Sequence, residues 1–177
     1  MTQRLTLFSQ EIEDFVLELK IDADATFLDL HNLIQDACDY QDRHNHSFLI
    51  CDEEWRVKNH IRQTDDQHVA IDEDLYLMED TPLGSFLEEE GQRLAYIFDP
   101  EGKRFFLMEL TENMFGKPQR KPSVSRRHGM PPAQRLVVKT KAEEEQNSYR
   151  GDFDEDFYGD DGFDETELDM EGFEIND

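Results

Sequence analysis

Cysteine is nearly absent from the chain: there are two in 177 residues, Cys38 and Cys51. Two thiols cannot supply the disulfide framework of a small secreted domain, so the sequence reads as intracellular, in a reducing cytoplasmic setting, with both thiols as small buried hydrophobes. No apolar run approaches the roughly 20 residues that a transmembrane helix needs, so no membrane span is expected. The opening MTQRLTLFSQ lacks an uninterrupted apolar core of signal-peptide length. Basic side chains are scarce, with 18 Lys and Arg against 43 Asp and Glu and a net charge of −25. Affinity for nucleic acid rests on phosphate contacts from Lys and Arg, so this balance argues against duplex binding by the folded part and favours basic partners. Gly-x-Gly-x-x-Gly, a Walker loop, Cys-x-x-Cys and Gly-x-Ser-x-Gly are all missing, along with the chemistry each would carry. No catalytic signature stands out, and a non-enzymatic role is the favoured expectation.

The charge that is present is segregated. Residues 1–112 hold 9 basic and 27 acidic side chains, net −18; residues 113–142 hold 8 basic and none acidic, net +8; residues 143–177 hold 1 basic and 16 acidic, net −15. The expected organisation is an α+β domain over 1–115, a basic Pro-rich segment over 116–142 that is partly extended, and an acidic disordered tail over 143–177. The tail has too little apolar content to offset its own ordering entropy. Phe153, Phe163 and Phe173 recur along it at a fixed interval, each followed by an acid, as aromatic points on a charged string.

The stretch 26–48 organises the rest. Phe27, Leu30, Ile34 and Ala37, with Leu33 beside them, follow a helical and not an alternating period. Thr26 with Asp29 predicts a capping box with Asp in the usual place of Glu. Burying Phe27, Leu30, Leu33 and Ile34 contributes roughly 1.5–3 kcal/mol each. Residues 4–8 and 15–21 alternate and predict an antiparallel strand pair; residues 47–51 predict a short buried strand, and Trp55 with Val57 another. Residues 61–80 predict a mostly irregular connection with an extended piece near Leu75–Met78. Thr81, Pro82 and Gly91 predict a short helix capped at one end and stopped at the other. Residues 92–98 and 103–110 predict a hairpin about a type I turn at DPEG.

Leu30-His31, Ile34-Gln35 and Ala37, then Tyr40, His44, His46 and Phe48, resemble the core signature of the plasmid pRi ORF-three-like domain family, whose members carry the label of TnpR-type passenger proteins of insertion elements. In that family the helix reads leucine-histidine-x-x-isoleucine-glutamine, followed by a tryptophan, three residues, and His-x-His-x-Phe; Tyr40 stands here for the tryptophan. Tyr96, Phe98 and Asp99 are similar to a later tyrosine-x-tyrosine-aspartate stretch. Pro131-Pro132 after Met130 resembles the closing cysteine-proline-proline, without its cysteines. The resemblance spans about residues 4–134. It implies an α+β fold with a mixed, largely antiparallel sheet packed on one long helix, β-grasp-like, in the order β-β-α-β-β-α-β-β, and it settles no activity. A serine recombinase needs an activated serine among arginines, which residues 1–112 with their 9 basic side chains do not offer.

The sharpest chemical constellation is His44-x-His46 with Asp42, Asp39 and His31 close in sequence. Imidazole and carboxylate at this spacing suit zinc or another transition metal, and an extended 44–46 would point both imidazoles to one side. The plainer reading gives one histidine a backbone partner in the sheet and leaves the other solvated. His31 reads as a helix-surface or half-buried side chain, and Tyr40 and Trp55 either as core or as lining of a groove. As a polar contact site the candidates are His31, Tyr40, His44 and His46, with Phe153, Phe163 and Phe173 in the tail. Asp152, Asp154 and Asp156 fail the calcium-loop register, because the required Gly falls on Phe157 and the required Glu on Phe163. No cofactor is expected, zinc being the alternative. The expected partner is a basic protein or peptide; nucleic acid would engage only residues 117–141, in competition with the acidic tail. The alternative role is a nucleic-acid accessory of a mobile element, or a metal-dependent enzyme using His44 and His46.

Overall fold

The computed structural model describes residues 1–64 and 74–136. The chain divides into two units, Met1–Gln134 and Arg135–Asp177. The first carries β1 (Thr2–Ser9), β2 (Val16–Asp22), α1 (Phe27–Cys38), β3 (Ser47–Cys51), β4 (Val57–Arg62), β5 (Tyr76–Leu77), a 3₁₀ turn at Leu83–Ser85, β6 (Arg93–Asp99), β7 (Arg104–Met114) and β8 (Ser123–His128). The strands form one sheet in the order β5-β4-β3-β6-β7-β1-β2-β8. Every pairing is antiparallel except β4 with β5.

Alternation builds the sheet as the sequence predicts. Leu5 lies opposite Leu19 and Leu7 opposite Leu17, so four fully buried leucines share one face of the first hairpin. Phe48, Tyr96, Phe98 and Phe106 continue that face across β3, β6 and β7. The helix lies against it, with the Phe27 ring 5.3 Å from Phe48. Thr26 Oγ1 accepts the Asp29 N–H at 3.2 Å and the Asp29 carboxylate accepts the Thr26 N–H at 3.0 Å, which is the expected capping box. Asp39, left-handed at φ 55, ends the helix. Cys38 and Cys51 are both buried, and burial pushes their thiols up to about 12 and about 11.

Four expectations are corrected. β4 runs from Val57 to Arg62, into the stretch read as irregular, while Trp55 stands outside it at φ 63 in a turn that Asp52 closes by accepting the Glu54 and Arg56 N–H groups. The helix expected after Thr81 is only a 3₁₀ turn. The Gln92 side chain takes the N–H groups that would carry a helix on, its Oε1 accepting from Glu88 at 2.5 Å and Glu89 at 2.7 Å, while Leu83 N–H bonds the Ala25 carbonyl and Gly84 N–H the Ala23 carbonyl, both at 2.8 Å; Thr81 Oγ1 donates back to Leu77 instead of capping. The expected β6–β7 hairpin forms, but its turn bond runs from Lys103 N–H to the Pro100 carbonyl at 3.4 Å, one residue beyond DPEG; Lys103 is left-handed (φ 53), the Asp99 carboxylate takes the Gly102 N–H, and a Cβ on Gly102 would come within 2.4 Å of Asp99 Oδ2. The β-grasp order with one long helix gives way, among the described residues, to an eight-stranded sheet and one α-helix of 12 residues.

The extended piece of the basic segment is β8, which joins the sheet on β2. Among the described residues no helix is long and apolar enough to cross a membrane. The tail positions Phe153, Phe163 and Phe173, and residues 137–141 of the basic segment, lie outside the described residues.

Candidate functional site

The helical period sets His31 and Gln35 one turn apart on the face turned toward the sheet, so two polar side chains sit within an apolar stripe. His31 is fully buried, deeper than its place beside Leu30 predicts. Its partner is the Tyr96 hydroxyl, which rises from the facing strand β6 and lies 2.7 Å from His31 Nδ1 and 2.6 Å from Gln35 Nε2. Gln35 Nε2 donates to the Tyr96 oxygen, so the Tyr96 O–H is available to donate to His31 Nδ1 and the His31 proton resides on Nε2. His31 Nε2 and Gln35 Oε1 have no hydrogen-bond partner.

His46 enters the same cluster from the residue before β3. Its ring is stacked with Tyr96 at 6.0 Å and lies 5.0 Å from His31. Nδ1–H donates to the Ile97 carbonyl at 3.0 Å and Nε2 accepts the Arg43 N–H at 3.2 Å, so one neutral tautomer satisfies both nitrogens. Asp42 closes the rim, with its side chain half exposed. Its oxygens stand 3.7 Å from His31 Nε2 and 3.8 Å from His46 Nε2, beyond hydrogen-bond reach, and both accept from Gln63 Nε2 at 2.9 Å.

Electrostatics keep the cluster neutral apart from its rim. Burial, with His46 nearby, lowers the His31 pKa to about 4 against the opposing pull of Asp42. Burial lowers His46 too, offset in part by the Ile97 carbonyl and Asp42. Burial holds the Tyr96 hydroxyl well above its ordinary value, so it stays protonated. Partial burial raises Asp42, but bonds from Gln63 and the His44 N–H, with the two imidazoles, outweigh it and leave its pKa below the usual carboxylate value. The imidazoles, the phenol and the Gln35 amide are closed off from solvent. The cluster therefore ties helix to sheet and presents only a carboxylate outside.

His44 does not join it. His44 and Asn45 both take left-handed backbone at φ 62, which turns the chain, and the extended 44–46 that would have pointed both imidazoles to one side does not form. His44 ends exposed and His46 fully buried, so their imidazoles do not chelate together. Among the described residues no three His, Cys, Asp or Glu side chains gather as a metal-binding group. Tyr40 is half-buried and packs as core, stacked on Phe98 at 5.5 Å and on Phe106 at 6.2 Å, and its hydroxyl donates to the Pro132 carbonyl. Burial raises its pKa. Trp55 lies under the Arg93 guanidinium at 5.1 Å.

A second cluster escapes sequence reasoning. Buried Arg104 donates to both Glu11 oxygens, at 2.7 and 2.6 Å, stands 3.3 Å from Asp99, and covers the Phe98 ring at 4.8 Å. It also donates to the Gln134 carbonyl at 3.0 Å, while the Gln134 amide exchanges two bonds with the Gln41 backbone. The even register it shares with Phe106 and Met108 on β7 was the available sign. Beyond β8, then, the chain is strapped across the exit of α1.

A family model described as plasmid pRiA4b ORF-3-like protein matches residues 10–171. A comparison with curated proteins found no match. Among solved structures, a crystal structure of a protein of unknown function from Methanosarcina mazei Go1 is similar, with a TM-score of 0.55 and 19% identity over 86% of this chain and 91% of that one. That likeness concerns the fold.

Proposed function

The chain belongs to the plasmid pRiA4b ORF-3-like family, and on that premise we propose that it is a non-catalytic intracellular interaction module, whose acidic, aromatic-dotted residues 143–177 engage basic partners or mask the chain's own basic segment at 117–141. The observation that supports this reading is the position of the basic side chains. Arg126 is 69% exposed on the terminal strand of the sheet, with Glu18 at 3.6 Å as its ion-pair neighbour. Lys117, Arg120 and Lys121 are exposed just before it. A fold that is acidic elsewhere thus gathers cations on one border, next in sequence to a block of 16 acids.

The histidine cluster does not support catalysis, because general acid–base work needs a titrating group within reach of a substrate proton, and both imidazoles are sealed and neutral. The test is binding of a labelled single-stranded oligonucleotide by the full chain and by a chain lacking 143–177. Truncation should raise affinity at low salt, and the gap should close as screening grows. Negligible, unchanged binding in both would refute the masking.

A further inference from the structure

β8 ends the sheet: β2 pairs with one of its sides, and among the described residues no strand pairs with the other. A terminal strand presents backbone N–H and C=O groups that an added strand can satisfy. At the opposite border β5 is two residues long, whereas β8 has six. β8 is also held in place. Ser125 Oγ bonds the Glu18 carbonyl, Arg127 Nη1 donates to the Ala37 carbonyl at 2.7 Å, and a Cβ on Gly129 would meet the Asp14 carbonyl at 2.5 Å. A preordered edge spares an incoming strand part of the ordering cost.

The register specifies what that strand should carry. Arg127, opposite Leu17, turns to the helix face; Arg126, opposite Glu18, and His128, opposite Val16, turn to the other. On that outer face Leu49, Ala95, Leu107, Phe8 and Val16 form one cross-strand row that ends at His128. An antiparallel partner would therefore read, in its own direction, an apolar residue beside His128, an acid beside Arg127 and an acid beside Arg126. A second copy of β8 would instead bring arginines together, so the edge disfavours self-pairing. Aromatic-acid-acid occurs twice in the acidic block, as Phe153-Asp154-Glu155 and Phe163-Asp164-Glu165.

We propose that the open edge of β8 is a docking site for the chain's own Phe-Asp-Glu tripeptides, which add as a ninth, antiparallel strand. This deepens the masking reading and rests on it. Asp and Gly around the tripeptides are poor strand formers, so the added strand is weakly held and sensitive to salt.

The test is amide hydrogen exchange across β8 in the full chain at low salt, against a variant with both tripeptides changed to Ser-Asn-Gln. The expected result is a loss of about tenfold in β8 protection in the variant, with α1 unaffected. Arg126→Glu in the full chain should give the same loss, and adding back a synthetic peptide of residues 151–167 should restore protection to the tripeptide variant. Unchanged β8 exchange overturns strand addition. If oligonucleotide binding still rises on truncation in that case, masking survives as loose charge attraction and only the docking geometry falls. Protection that depends on protein concentration would mean that a second copy's tail is the occupant, and would overturn docking within one chain.

Discussion

Replacing Tyr96 with Phe removes one oxygen and leaves the ring, its stacking and its volume in place. The cost should still be large for so small a change. The hydroxyl is the shared partner of His31 Nδ1 and Gln35 Nε2, at 2.7 and 2.6 Å, and all three side chains are buried. Without it two polar atoms lose their partner where water cannot replace it, at about 1–3 kcal/mol each, so a loss of about 2–6 kcal/mol is expected. Against a typical total of about 5–15 kcal/mol this is a visible fraction. Urea unfolding followed by near-ultraviolet circular dichroism should show a lower midpoint with an unchanged slope. A companion variant isolates the cause. His31→Leu, Gln35→Leu and Tyr96→Phe together remove both sides of each bond, and should cost less than Tyr96→Phe alone, because apolar replacement of a whole network leaves no orphaned atoms. A loss below about 0.5 kcal/mol for the single change, or a triple variant worse than the single one, would refute the assignment of the network as the helix–sheet tie.

Lowering the pH should weaken the fold through His31. Its pKa is about 4 in the folded chain against 6.5 ordinarily, so the folded state binds fewer protons; the contribution is whole above pH 6.5 and is lost as pH falls toward 4. The expected loss by pH 4 is about 3 kcal/mol, and His31→Gln should flatten the dependence of the urea midpoint on pH over that window; parallel curves would contradict it. Thr26→Ala removes the cap of α1 and should cost about 1 kcal/mol in the same assay. Arg104→Lys keeps the charge but cannot reproduce the paired bonds to Glu11, and should cost about 1–2 kcal/mol, reduced by the partial exposure of Glu11. Proteolysis near Gln134 should also accelerate in that variant.

The elements that could be read from sequence were those whose local pattern and tertiary role agree. The stripe of α1, its capping box and the alternation of β1, β2, β6 and β7 each state a face, and the structure buries that face. The turn at Leu83–Ser85 went wrong because Thr81-Pro82 is a sound start for a helix, and nothing in the local pattern shows that the Gln92 side chain takes the Glu88 and Glu89 N–H groups needed to continue it. Within the site, His31, Gln35 and His46 were visible as a motif, but their convergence on Tyr96, 65 positions from His31, is a product of sheet order. His44 was misplaced because two successive left-handed residues leave no mark in a stretch without glycine. β8 was blurred by its composition: five of its six side chains are exposed, so it has no apolar period to detect.

β1 sits inside the sheet with β2 on one flank and β7 on the other, and Thr2 pairs with Met114. β1 thus gains β2 as a neighbour soon after it is synthesised and must wait for β7 until most of the domain has followed. Closing so distant a pairing is slow, and an unpaired strand border stands open in the interval. Nascent chains stalled before β7 should for that reason be the species most dependent on chaperones.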